Sequence, residues 1–593
     1  MRTSEERARD VLERRDAYRK TQQRRQSLIA MGVLCGALVL SIGLGMLPQW
    51  KQSAAPAAYT ELYSTVERVY EQHRYTNYTN VNVFDMEIAG AEMEKAPDGT
   101  ADAATGTHSE TNVQVQGVDE SDIVKTDGTY LYVLTRGACV KIVDPNGGQP
   151  RTAATITPEN KGGGAWSGMY VAGDRLVLIR NCHTEKAVYT EAWLYDITNP
   201  EQPQYRNLFR QNGYELSTRL IGDVLYTVTR HEISQAPQGD KPETYVPQTG
   251  CGGEFAAMPA EDIYISKDSL RYVVVTAVRI AGEGELLSQK AVLTEGETVY
   301  ANTENLYVAG SSAATTALMR FALNNGKLEK QAQTTLNGTL LNQFSLDEYN
   351  GYLRVVLTTY GEKTGNGLLV LDSALKTVGS ITDLAPDEQV YSVRFSGDTG
   401  YFVTFRQVDP LFTVDLSDPT KPTIQSELKI PGFSQYLHPY GEGLLLGIGM
   451  NADEQGRTDY VKLSMFDVRD PAAVTEAAVE ILPEMYAEVL GNHKAALIDV
   501  EKDIIGFAVD NRYYVYGYTP QTGFVCKAAL NLLGSGKSTR GVYIGEVLYL
   551  ISADGVGAYR LSDFEPLGTL GFFDSDKTVG TVWTSLPHTV IAE

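Results

Sequence analysis

The sequence predicts an all-β protein, a β-propeller of about eight four-stranded blades (seven to nine), preceded by one transmembrane helix and a short helix plus linker. Three observations carry this. A glycine beside an acid or Asn recurs before strand-like runs at intervals of 44–49 residues, from Gly128 to Gly173 to Gly222 and from Gly351 to Gly397 to Gly441. A D-aliphatic-x-[DN]-P string recurs at Asp196–Pro200, Asp415–Pro419 and Asp467–Pro471, with Val143-Asp144-Pro145 as a shortened copy, and each sets a turn after a strand. The chain also holds 55 Gly and 35 Tyr against 16 Phe, a mix that suits short strands and turns better than long helices.

The N-terminus sets the topology. Residues 1–25 hold nine Arg/Lys and five Asp/Glu, a local excess of +4, and residues 26–50 hold no charge. With −23 overall, −27 falls on everything from Lys51 onward. The uncharged run SLIAMGVLCGALVLSIGLGML has the length of a bilayer span, Pro48 ends it, and Trp50 and Lys51 stand where an interfacial anchor would. The expected organisation is a cytoplasmic basic segment over 1–26, a signal-anchor helix over 27–48, an extracytoplasmic helix and linker over 49–110, and a propeller over 111–593. A cleaved signal peptide is the competing reading, since Ala55-Pro56-Ala57 resembles a cleavage site. The apolar run is too long for it and the charged preface is also long. Lipid attachment at Cys35 is disfavoured because the cysteine lies mid-span after Val33-Leu34.

Residues 59–75 read as an amphipathic helix, with Leu62, Val66 and Tyr70 at four-residue steps. Residues 89–110 are small and polar and read as a flexible linker. From Thr111 the alternation of strands begins. Residues 229–266 have little strand character and read as an insertion, and TNVQVQGV (111–118) is expected to be a strand that closes the ring against the last blade.

These stretches resemble a family of uncharacterised bacterial and archaeal proteins, secreted or membrane-anchored, with a C-terminal β-propeller distantly related to WD40. The similar segments are TNVQVQGVDESDIVKTDGTYLYV (111–133), LNQFSLDEYNGYLRVV (341–356) and residues 390–440. The resemblance implies the architecture and an extracytoplasmic location. It implies no reaction and no catalytic residue.

Motifs with chemistry are scarce. Seven histidines include no HExxH pair, and no GxSxG elbow or P-loop is present. The run Gly162-Gly163-Gly164 has no following helix to cradle a phosphate. Cys139, Cys182, Cys251 and Cys526 leave three options open: disulfides in three possible connectivities, a metal site with His183, or buried thiols. Two polar clusters are candidates for a binding face. Asp119, Glu120 and Asp122 could hold Ca²⁺, but EF-hand spacing is absent and a solvated turn is the favoured alternative. Arg406 and Asp409, with His438 about one blade later, could face the channel, the favoured alternative being an ion pair between blades. No catalytic residue and no cofactor are assigned.

The charge balance excludes a general nucleic-acid binder, which needs a positive field. The expected role is a membrane-anchored, extracytoplasmic binding or scaffold module at the cell envelope, with a protein or other envelope ligand. The alternatives are a channel-sited envelope enzyme (glycosidase, lyase or dehydrogenase type) and a structural subunit of a membrane complex. A glycosidase needs two facing carboxylates, which the 69 acids after Lys51 neither supply visibly nor exclude.

Overall fold

A computed structural model describes residues 55–79 and 108–572, apart from 137–138, 159–162, 185–186, 313, 362–363, 406–408, 454–456 and 535–537. The span expected at 27–48 and most of the linker lie outside the described residues. Among those residues, no helix is long and apolar enough to cross a membrane.

Among the described residues nine sheets follow one another along the chain, each built on four antiparallel strands in sequence order, with two further strands on the second and one on the third. They are blades 1 to 9, spanning 124–156, 163–212, 214–293, 298–337, 346–384, 389–430, 433–481, 497–531 and 540–571. The burial pattern orders the strands within a blade. Middle strands such as Leu131–Leu134, Arg271–Arg279 and Ile504–Val509 are buried on both faces and read as continuous apolar runs. Fourth strands such as Thr423–Ile430 and Thr475–Ile481 alternate exposed and half-buried, as an outer edge does.

Apolar clusters between consecutive sheets join the blades. Ile142 of blade 1 shares a cluster with Leu178 of blade 2, and Ile448 of blade 7 shares one with Ile505 of blade 8. The remaining blade boundaries are filled the same way. Leu131 and Val133 of blade 1 pack with Tyr549 and Ile551 of blade 9, which closes the ring. The abundance of tyrosine has a physical reason here. Several rings fill apolar space while the hydroxyl bonds to a neighbouring blade: Tyr170 to Thr218, Tyr440 to Asp503, and Tyr543 to Asp499.

The blade count of nine lies one above the central expectation. Seven blades carry the Gly turn between first and second strands, where positive φ angles such as +56° at Gly173 and +58° at Gly545 favour glycine. Blade 4 makes that turn with Asn302, whose Oδ1 accepts the Glu304 and Asn305 N–H groups. Blade 8 makes it with Asp503 at φ +52°. The D-x-x-[DN]-P strings end the third strand of a blade. Their first acids accept N–H groups two residues on, from Thr198, Ser417 and Arg469, which fixes the turn.

The amphipathic helix is present as α1, Thr60–Thr79. Leu62, Val66 and Val69 are buried, and the first two pack with Tyr245, Met258, Tyr272 and Val274. Arg68 adds a bidentate pair to Asp268. The insertion is structured where it meets the blades. Gln248–Cys251 extends the outer edge of blade 2, and Ile263–Ile265 pairs in parallel with Ala291–Leu293 of blade 3.

One expectation fails. Residues 111–118 form no strand, and the fourth strand of blade 9 (Pro566–Gly571) comes from its own end of the chain. The alternation of TNVQVQGV has another cause: the segment crosses the ring channel, and its side chains point to different blades.

Candidate functional site

The channel is built around this crossing segment, residues 108–122. It starts at blade 9, where His108 bridges Ile544 and the Ser109 N–H donates to the Tyr543 carbonyl. The Asn112 amide donates to Tyr436 Oη of blade 7 at 2.8 Å and to the His493 carbonyl at 3.1 Å. The Gln114 amide donates to the carbonyls of Gln343 and Leu346, at the entry to blade 5. Val115 packs against the clusters of blades 3–4 and 4–5. Asp119 then pairs through its backbone with Leu220 of blade 3, and Asp122 with Met169 of blade 2. The segment therefore reaches innermost strands or entry loops on most sides of the ring.

Three of the residues singled out from the sequence come together here, and they are not a solvated turn. Glu120 and Asp122 are only 4% and 5% exposed. A buried carboxylate needs a cation or several donors, and each acid has them. Asp119 accepts from Lys125 Nζ at 2.6 Å, and the same ammonium donates to the Glu120 carbonyl. Glu120 accepts the Gln114 N–H at 3.2 Å, with Arg219 at 3.8 Å and His493 Nε2 at 3.6 Å. Asp122 takes a bidentate pair from Arg540 at 2.8 and 3.0 Å, and Arg540 reaches Glu488 at 2.9 Å. Burial alone would raise the Asp122 pKa, but Arg540, Lys494 and Lys125 together hold it below the usual carboxylate range. For Arg540 burial works against the charge, and Asp122 and Glu488 outweigh it and raise the pKa.

His438 lies elsewhere on the wall, on the innermost strand of blade 7, with Nδ1 2.7 Å from Tyr436 Oη. It is buried, and desolvation, with Arg394 nearby, lowers its pKa to about 3. Asp409 opens the third strand of blade 6, Asp409–Asp415, away from the innermost strands, and Arg406 lies outside the described residues. His438 and the backbone of Asp409 thus lie on different strands of different blades. Among the described residues, no three His, Cys, Asp or Glu side chains gather as a metal cage. Cys139, Cys182, Cys251 and Cys526 are free thiols, and Cys182 sits 3.5 Å from Glu191 Oε2.

The crossing segment divides the channel into two mouths. One, about 660 Å³, opens where the innermost strands end, beside Asp127, Gly173 and Gly222. The other, about 800 Å³, opens where they begin, beside Tyr214, Thr298 and the loops at 341–343 and 491–494. Reading the sequence alone misses Arg219, Arg230, Glu488, His493, Lys494 and Arg540. They lie far along the chain from 108–122, and only closure of the ring brings them to the centre.

The model of the beta propeller domain family matches residues 108–564. An uncharacterised protein of Archaeoglobus fulgidus is 30% identical over 565 residues, covering 81% of this chain and 88% of its own. An uncharacterised protein of Methanocaldococcus jannaschii is 26% identical over 544 residues, covering 77% and 82%. Among solved structures, Sqt1 from Chaetomium thermophilum aligns with a TM-score of 0.34 at 12% identity, over 65% of this chain and 90% of that one.

Proposed function

The chain belongs to the beta propeller domain family, and from that premise we propose that it is a membrane-anchored binding module at the cell envelope. Residues 27–48 cross the membrane with the N-terminus in the cytoplasm, and the nine-blade ring stands outside, recognising a protein or other envelope ligand with a channel mouth. The observation that carries the binding role is the crossing segment. The three acids it brings to the channel centre are each committed to a cation, so they serve to lock the ring rather than to act as a facing acid–base pair. This disfavours a channel glycosidase, whose chemistry would need such a pair free. The +4 before the apolar run and −27 after it support the orientation. The same negative field disfavours nucleic acid as a partner.

Protease treatment of intact cells carrying the chain with a tag at each end tests the anchoring. The C-terminal tag is expected to be lost while the N-terminal tag stays protected. Both tags protected, in cells whose outer barrier has been permeabilised and whose released chain the same protease digests, would overturn the outward module.

A further inference from the structure

The larger mouth has a chemical bias that the ring's stability does not explain. Most of its buried acceptors are spent, while several of its donors are not. Glu120 is occupied by the Gln114 N–H and Arg219, and Glu215 accepts from Ser167 and Asn181. Glu297 is an exposed carboxylate at the rim. The side chain of Arg230, half-buried near the end of the second strand of blade 3, makes no ion pair or hydrogen bond among the described residues. Gln343 Oε1 accepts from Arg219 and Asn342 Oδ1 accepts the Phe344 N–H, which leaves the amide nitrogens of both side chains without an acceptor there.

Deeper in the same cavity, His493 is 4% exposed and its Nε2 makes no hydrogen bond, the Glu120 carboxylate lying 3.6 Å away. Lys494 Nζ spends one of its three N–H groups, on the Ser121 carbonyl. An unpaired buried polar group such as His493 Nε2 is costly, and with half-buried free donors around it the cavity fits a ligand that supplies acceptors. Here the missing partner is rich in oxygen acceptors and carries negative charge. At about 800 Å³ the cavity has the size of a small-molecule site, and Tyr214 exposes an aromatic face beside it.

We propose that this mouth binds a small polyhydroxylated carboxylate, with the carboxylate on Arg230 and the hydroxyls on Asn342, Gln343 and the His493–Lys494 pair. Two sources share that chemistry, a free uronic acid and an aliphatic hydroxy acid. The proposal rests on reading the chain as a binding module and names the ligand class of that module.

Isothermal titration of the full-length chain with D-glucuronate, D-glucose and tartrate tests it. Saturable binding of glucuronate is expected, at least about tenfold tighter than glucose, since a charge-assisted pair is lost with the carboxylate. Arg230→Gln should weaken it by about tenfold or more at an unchanged melting temperature, because Arg230 holds no structural partner. Tartrate binding as tightly as glucuronate would assign the site to hydroxy acids, and tartrate failing alone would assign it to a sugar acid. No saturable binding of either carboxylate, or an Arg230→Gln variant that binds as well as the parent, would overturn the proposal. Neither result bears on the topology, which the tag experiment reads separately.

Discussion

Replacing Arg540 by methionine should cost about 3–5 kcal/mol of folding stability, among the largest effects of any single substitution in the ring. The guanidinium is buried between Asp122 and Glu488 and contacts both at hydrogen-bond distance. Methionine fills the space but takes from the buried Asp122 and the half-buried Glu488 the guanidinium that pairs with both. Asp122→Asn added to the variant should restore part of the loss, since one of those charges is then gone and the two effects couple. The pH dependence has a fixed sign. Asp122 has a folded-state pKa below its unfolded value, so its contribution is present above the unfolded value, near pH 4, and is lost as pH falls through the lowered folded value. Denaturant unfolding of the parent and both variants at pH 7 measures the difference. A change below about 1 kcal/mol for Arg540→Met would contradict the pairing described.

Removing the crossing segment should do more. A chain beginning at residue 108 is expected to unfold cooperatively, whereas one beginning at residue 123 should show no cooperative transition. The shorter chain loses the buried Val118 and strips Asp119, Glu120 and Asp122 from Lys125, Arg219 and Arg540. Lys125 and Arg219 lose their acids and Arg540 keeps only Glu488; losses of several kcal/mol at such buried sites together approach the whole stability of a typical domain. Thermal unfolding followed by circular dichroism would show it. A chain beginning at 123 that melts within a few degrees of the longer one would mean that the segment is dispensable.

The blades were legible in the sequence because their turns restrict residue type. A first-to-second-strand turn at positive φ takes glycine in seven blades, and the Asp and Asn of the third-strand turns bond to nearby N–H groups. Blades 4 and 8 escaped because Asn302 and Asp503 do the same work without glycine. The helix over 60–79 was legible from Leu62 and Val66, whose spacing survives in their shared burial.

The channel was not legible. TNVQVQGV has the period of a strand, and nothing local distinguishes a strand that joins a sheet from an extended segment whose Asn112 and Gln114 donate to separate blades. Asp122 and Arg540 lie 418 residues apart, so no local spacing pairs them. The pattern did mark the acids at 119, 120 and 122 as unusual; it could not show that they are buried.

Hydrogen exchange of the full-length chain, read by mass spectrometry, tests most directly whether residues 108–122 are built into the ring. The backbone N–H groups of Ser109, Asp119 and Asp122 donate to carbonyls of three different blades, so peptides covering them should exchange as slowly as the innermost strands of blades 2, 3 and 9. Exchange of 108–122 at the rate of an unstructured chain, with the blades still protected, would contradict the account.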